Sequence, residues 1–182
     1  MTDTTYTTSR AQRLGEHLFN FLITRIPSHT VRQAWLRLCG ASIGQGTSIM
    51  MRSTVLGPHR LVIGDNVSIG SSVLLDARGG LLVEDDVVIA SDVHVVTGDH
   101  DADSPDFAIR LSPVSIGHHA WIASRATVLR DVAIGVGAVV GAASLVRHDV
   151  NDMDIVAGVP ARVVGRRSST LDYHPTFRPL LY

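Results

Sequence analysis

One polar segment carries most of the acid–base potential of this chain. It reads Thr97-Gly98-Asp99-His100-Asp101-Ala102-Asp103-Ser104-Pro105-Asp106-Phe107, a single histidine among four aspartates. An imidazole changes charge near neutral pH, so it can take or give a proton where most side chains cannot. A carboxylate beside it would orient the ring and support its protonated form. Asp99 and Asp101 are near in sequence, and Asp76 is a third candidate twenty-four positions upstream. The competing reading is a solvated loop whose histidine does nothing, and spacing alone does not separate the two.

What decides whether Asp76 can meet His100 is the element that carries both. From Ile116 the chain places an aliphatic residue at every sixth position: Ile116, Ile122, Val128, Ile134, Val140, Val146. A period of six fits neither a helix nor a simple strand. It fits a solenoid that turns a corner every six residues. Upstream the same spacing occurs in sets of three: Ile43, Ile49, Val55; then Ile63, Ile69, Leu75; then Val83, Ile89, Val95. Between sets the step is eight, so two extra residues leave the coil after every third face. Between Val95 and Ile116 that break is enlarged into a long loop.

Small or branched residues occupy the position two before each aliphatic, among them Thr47, Val67, Val87, Ala120, Ala138 and Ser144. That alternation predicts the inward face of a short strand. Glycine follows the aliphatic at Gly44, Gly64, Gly70, Gly117, Gly135 and Gly141, where a corner needs either positive φ or no Cβ. The expected fold is therefore an all-β solenoid, a parallel β-helix over residues 41–167 with a loop at 96–115. The breaks Leu56–Val62, Asp76–Leu82 and Val96–Ser115 should stack along one edge, which brings Asp76 toward His100.

Residues 1–40 differ. Leu14, Leu18, Phe21, Leu22 and Ile26 line one side of a helix that Pro27 stops. Ser28 or Thr30 can cap a second helix carrying Val31, Ala34, Trp35 and Leu38, with Gly40 at its end. The expectation is a helical cover for the open end of the coil or an aid to substrate recognition, with peripheral membrane contact as the minor alternative. No apolar run is long enough to span a bilayer, and no signal peptide is recognisable. The tail 168–182, with Tyr173, Phe177 and Tyr182 beside Pro175 and Pro179, cannot form a coil; it either wraps a neighbouring subunit or reaches the acceptor site.

Composition narrows the function classes. A net charge of −1 with 18% charged residues argues against a nucleic-acid partner. The single cysteine, Cys39, rules out an intrachain disulfide framework and points to a reducing compartment, hence the cytoplasm. Cys39 has no nearby base in sequence and reads as a packing residue. The glycine-rich run Gly135–Gly141 lies inside the hexad register, so it opens no helix and is no nucleotide loop.

The hexads, the Thr97-Gly98-Asp99-His100-Asp101 loop, the Ile116-Gly117-x-x-x-Trp121-Ile122 segment and the closing Ala157-Gly158-Val159-Pro160-Ala161-Arg162 stretch together resemble the hexapeptide-repeat O-acetyltransferases. The maltose/galactoside and colanic-acid types are the most similar. The resemblance covers roughly residues 40–167. It implies a left-handed β-helix, a homotrimer, and acetyl-CoA bound between neighbouring prisms, with no metal. It implies that His100 is the general base for a sugar or glycan hydroxyl, which attacks the thioester directly, and that Asp76 is its partner. Asp99 and Asp101 remain rivals for that orienting role and candidates for substrate contact.

On the cofactor side the resemblance assigns Trp121 and Ser124 to the pantetheine groove, Ala142 and Ala143 to its amides, and Arg162, Arg166 and Arg167 to the CoA phosphates. Where relatives have Thr-Lys, this chain has Arg147-His148, and Arg147 is the expected substitute for the lost charge. An amine acceptor, as in amino-sugar N-acetylation, or a hydroxyl on a small metabolite is the alternative with the same mechanism. A zinc site of the γ-carbonic-anhydrase kind, drawn from His94, His100, His118 and His119, is a more distant rival, as is a trimer that has lost catalysis.

Overall fold

The computed structural model describes residues 8–175 and 177–179. Its body is a parallel β-solenoid with three faces. The first face stacks Ser42–Ile43, Leu61–Ile63, Leu81–Val83, Val114–Ile116 and Val132–Ile134. The second stacks Ser48–Ile49, Ser68–Ile69, Val88–Ile89, Trp121–Ile122, Val139–Val140 and Asp154–Gly158, against which Ala161–Arg166 folds back antiparallel. The third stacks Thr54–Leu56, Leu74–Asp76, His94–Val95, Thr127–Val128 and Leu145–Val146.

The hexad register is the pairing register. Ile43 lies over Ile63, Ile69 over Ile89, Leu75 over Val95, and Ile122 over Val140. These aliphatics and the small residues two before them fill the prism interior; Ile49, Ile69, Leu75, Ile116 and Ile122 are wholly buried. Each buried aliphatic contributes about 1.5–3 kcal/mol, so the sixfold repetition is also the main source of stability.

The corner glycines are explained by space rather than by φ. A Cβ on Gly44 would sit 2.5 Å from the Gly64 carbonyl, and one on Gly70 2.5 Å from the Ser91 nitrogen. The coil above passes too close for any side chain. Positive φ falls two positions later, at Gly46, Asn66, Asp86, His119 and Gly137 along one corner.

Two helices close the lower end: α1 (Arg10–Phe21), capped by Ser9, and α2 (His29–Leu38), capped by Ser28. The first coil has no coil beneath it, so its main-chain groups lack partners and must find them elsewhere. Helix side chains supply them. Asn20 accepts from the Val55 N–H and donates to its carbonyl, each at 2.9 Å. Gln33 donates to Thr47 O at 2.6 Å, Arg32 Nε to Ile49 O at 3.0 Å, and the Thr24 hydroxyl to Ser53 O at 2.6 Å. Glu16 accepts from the Gly57 N–H at 2.9 Å. The inward face of α1 is therefore Phe19 with Glu16 and Asn20. The expected apolar stripe is split: Leu14, Phe21 and Leu22 are exposed, while Leu18 and Ile26 are half-buried.

The tail packs along its own chain. Arg167 donates through Nη1 to the carbonyls of His119 (2.8 Å) and Gly137 (3.1 Å) and bonds through Nη2 to the Tyr173 hydroxyl. His174 pairs with Asp86 at 2.8 Å, and the Pro179 carbonyl meets His29 Nε2 at 3.1 Å. Residues 168–175 and 177–179 thus descend along the corner between the first and second faces toward α2; Tyr182 lies outside the described residues.

Candidate active site

All three breaks leave the prism at the corner between the third and first faces, as the twenty-residue period requires. Gly57-Pro58-His59-Arg60 is the lowest, and the turn 77–80 lies above it, with Ala77 N–H on Leu56 O (2.8 Å). The Thr97 hydroxyl accepts from the Gly79 N–H at 2.8 Å, joining the second break to the third. The third is a β-hairpin, Gly98–His100 paired antiparallel with Ile109–Leu111, which the polar composition of the loop did not announce. His100 stands near its tip, exposed, opposite Ile109.

The His100 ring is held by Phe107. Its Nδ1 lies 2.8 Å from the Phe107 carbonyl, and the two rings stack with centroids 4.3 Å apart. A carbonyl only accepts, so Nδ1 carries the proton and a neutral ring keeps its lone pair on Nε2. Phe107 itself adopts φ 49°, the turn geometry in which its carbonyl and ring reach the same imidazole.

The expected carboxylate beside His100 is not there among the described residues. Asp76 is 1% exposed, and its oxygens accept from Arg78 Nε (2.8 Å), Arg78 Nη2 (2.9 Å) and the Thr97 N–H (3.2 Å). It secures the root of the hairpin, not the ring at its tip. The stacking argument is right about the edge. It fails on the contact, because strand pairing carries His100 outward while Asp76 stays in the wall.

Asp99 accepts from Arg110 Nε (3.0 Å) and Nη2 (3.2 Å) and lies 2.7 Å from Arg130 Nε. Burial alone would raise its pKa, but the two guanidiniums outweigh this and hold it below the ordinary carboxylate value. Asp101 faces Arg110 at 3.8 Å and accepts from the Asp103 N–H. Both carboxylates thus serve the hairpin's own ion pairs. Asp99, Arg110 and Arg130, with Arg147 and His148, line an open cleft of about 470 Å³ at the hairpin base.

The remaining candidates divide between two places. Trp121 points outward from the second face, 47% exposed, between Val88 and Val139. Ser124, Ala142 and Ala143 form an exposed corner between the second and third faces, with Ala143 N–H on Ser124 O at 3.0 Å. Arg147 sits at the other end of the third face, in the cleft just described. Arg162 is exposed and bonds only to its neighbour's carbonyl among the described residues. Arg166 is engaged by Asp154 at 3.0 Å, and Arg167 is committed to the tail. The contiguous arginines therefore have different employments, and Arg167 is a fastener rather than a free cation.

Sequence reasoning passed over Phe107, Arg78, Arg110 and Arg130. Each acts through a contact across a turn or hairpin, which no six-residue period encodes. Cys39 behaves as read: burial, with Glu16 nearby, pushes its thiol up and keeps it protonated. Among the described residues no three His, Cys, Asp or Glu side chains are grouped to hold a metal ion.

This architecture defines a class, the three-faced parallel solenoid with a histidine-bearing hairpin at one edge. No protein-family model matches the chain. It is 35% identical over 135 residues to the putative colanic acid biosynthesis acetyltransferase WcaF of Escherichia coli, covering 74% of each chain. It is 29% identical over 136 residues to the galactoside O-acetyltransferase of the same organism, covering 75% of this chain and 58% of that one. A hexapeptide-repeat acetyltransferase from Vibrio cholerae, solved with acetyl coenzyme A, superposes with a TM-score of 0.81 at 23% identity, covering 87% and 88% of the two chains. The chain belongs to the hexapeptide-repeat acetyltransferase family, and it is an acyltransferase.

Proposed function

We propose that the protein transfers an acetyl group from acetyl-CoA to a hydroxyl of a sugar or polysaccharide precursor, as a cytoplasmic homotrimer. The observation that carries this reading is the Nδ1 bond of His100 to the Phe107 carbonyl. It leaves Nε2 as the base on an exposed hairpin, with no partner among the described residues.

In the proposed step Nε2 takes the proton of the acceptor hydroxyl as its oxygen attacks the thioester carbon. The carbon–sulfur bond breaks, and the imidazolium returns the proton to the departing thiolate, so the enzyme forms no covalent intermediate. Positioning supplies much of the rate, since the hairpin presents a base already in the required tautomer. Asp76, through Arg78 and Thr97, keeps the hairpin rooted; Asp99 and Asp101 line the acceptor side with their arginines.

Trp121, Ser124, Ala142 and Ala143 make the cradle assigned to the pantetheine arm, with Arg162 and Arg147 as the cations left for phosphate. Within one chain the cradle and the hairpin lie at different corners of the prism, which favours a site completed by a neighbouring copy. Sugar acceptors follow from the named activities of the relatives. The test is thiol release from acetyl-CoA against a panel of sugars, amino sugars and lipid-linked glycans. Turnover with hydroxyl acceptors is expected; turnover confined to amino sugars would replace O- by N-acetylation, and none with any acceptor would overturn the reading.

A further inference from the structure

The helical cap has a second face that the solenoid does not use. Of the α1 side chains only Phe19 is buried, whereas Leu14 is 60% exposed and Phe21 67%. Leu22, just past the helix, is 61% exposed, and Leu38 on α2 84%. Positions 14, 18, 21 and 22 share one side of a helical wheel. Leu38 of α2 lines a groove of about 390 Å³ beside the stripe, together with Ala11, Gln12 and Gly15 of α1. Large apolar side chains gathered on the outside of a cap mark a docking surface.

Charge says what kind. Arg10, Arg13 and Arg25 flank the stripe, all exposed, and none forms an ion pair among the described residues. Between residues 8 and 40 the only acidic side chain is Glu16, which is turned inward onto the Gly57 N–H. The whole protein carries a net charge of −1, so this positive end is segregated from an acidic remainder. A second copy of the cap would set arginine against arginine, which disfavours self-association through this face. An apolar stripe edged by arginines and free of exposed carboxylates is what acyl chains and anionic headgroups accept together.

We propose that this face of α1, with Leu22 and Leu38, docks the protein on an anionic membrane surface, the helix lying along the interface rather than crossing it. The inference does not depend on acyl transfer, since it uses none of the residues assigned to that step. The test is flotation of the full chain with vesicles of phosphatidylcholine alone and with about one third phosphatidylglycerol.

Binding to the anionic vesicles is expected to be at least about tenfold tighter and to weaken with salt. Leu14→Ser combined with Phe21→Ser should lower it about tenfold or more. Arg10→Gln with Arg13→Gln and Arg25→Gln should remove the preference for anionic lipid. These side chains are exposed, so each variant should keep the wild-type melting temperature. Leu22→Trp, read by its fluorescence shift on vesicles, gives a second measurement that keeps the stripe apolar. Equal or absent binding to both vesicle types would overturn the proposal. So would a drop in oligomer mass in the Leu14→Ser/Phe21→Ser variant without vesicle binding by the parent chain, which would assign the face to self-association.

Discussion

The imidazole of His100 lies flat on the ring of Phe107, 9° from parallel, while its Nδ1 bonds to the carbonyl of the same residue at 2.8 Å. One residue thus sets both the plane and the tautomer of the candidate base. His100→Ala should lower turnover at least about a hundredfold while leaving acetyl-CoA affinity nearly unchanged. Phe107→Ala keeps the carbonyl but loses the stack, so a smaller loss, about tenfold or less, is expected. Steady-state kinetics with a direct binding measurement separates the two; full activity in His100→Ala removes it from the mechanism.

Asp76 touches Arg78 and Thr97 rather than His100. Asp76→Asn should therefore cost about 2–3 kcal/mol of stability, as a buried charge-assisted pair is weakened. It should lower turnover without moving the midpoint of the pH–rate profile. A displaced midpoint would show that the carboxylate acts on the imidazole directly.

Asn20 closes both main-chain groups of Val55 at the open end of the solenoid. Asn20→Ala leaves a donor and an acceptor without partners, a loss of about 2 kcal/mol. Thermal denaturation should register this as a drop of roughly 4–8 °C. No change would mean that water replaces the amide there.

His29 ties the tail to α2. Its Nε2 lies 3.1 Å from the Pro179 carbonyl, and its Nδ1 lies 3.0 Å from the Ile49 carbonyl and 3.1 Å from Arg32 Nη2. Burial lowers its pKa from the ordinary 6.5, and the neighbouring Arg32 charge adds to this. A depressed histidine pKa means that the unfolded chain binds the proton first. The stability is then fully present above about pH 6.5 and declines as pH falls toward the folded-state value. His29→Gln should flatten the fall in stability that begins below about pH 6.5, measured by denaturant titration. An unaltered curve would assign the acid sensitivity to other groups.

A chelator should leave acetyl transfer unchanged, because the proposed step uses a histidine base and no Lewis acid. Stoichiometric zinc in the purified chain, lost together with activity on chelation, would return the anhydrase-like reading to consideration.

The repeat was legible residue by residue. Every aliphatic at the sixth position points inward, and the breaks after Val55, Leu75 and Val95 stack on one edge as their spacing demands. Periodicity reports a regular backbone, and a solenoid is regular. Other features were legible only as alternatives: the corner glycines avoid the coil above them rather than adopting positive φ. The tail's contacts with its own chain, through Arg167, Tyr173 and His174, had no signal in the repeat.

By itself, then, the order of residues determined the three-sided coil and the position of its loops, including the polar one that carries His100. Folding in three dimensions decided what that histidine touches, which arginines remain free, and which side of α1 turns inward. The reason is physical. Backbone stacking follows from local repetition, whereas an ion pair such as Asp76–Arg78 or a bond such as His100–Phe107 depends on angles at turns that no repeat specifies. Hydrogen-bond demand of the lowest coil, not the count of apolar side chains, chose the buried face of the first helix.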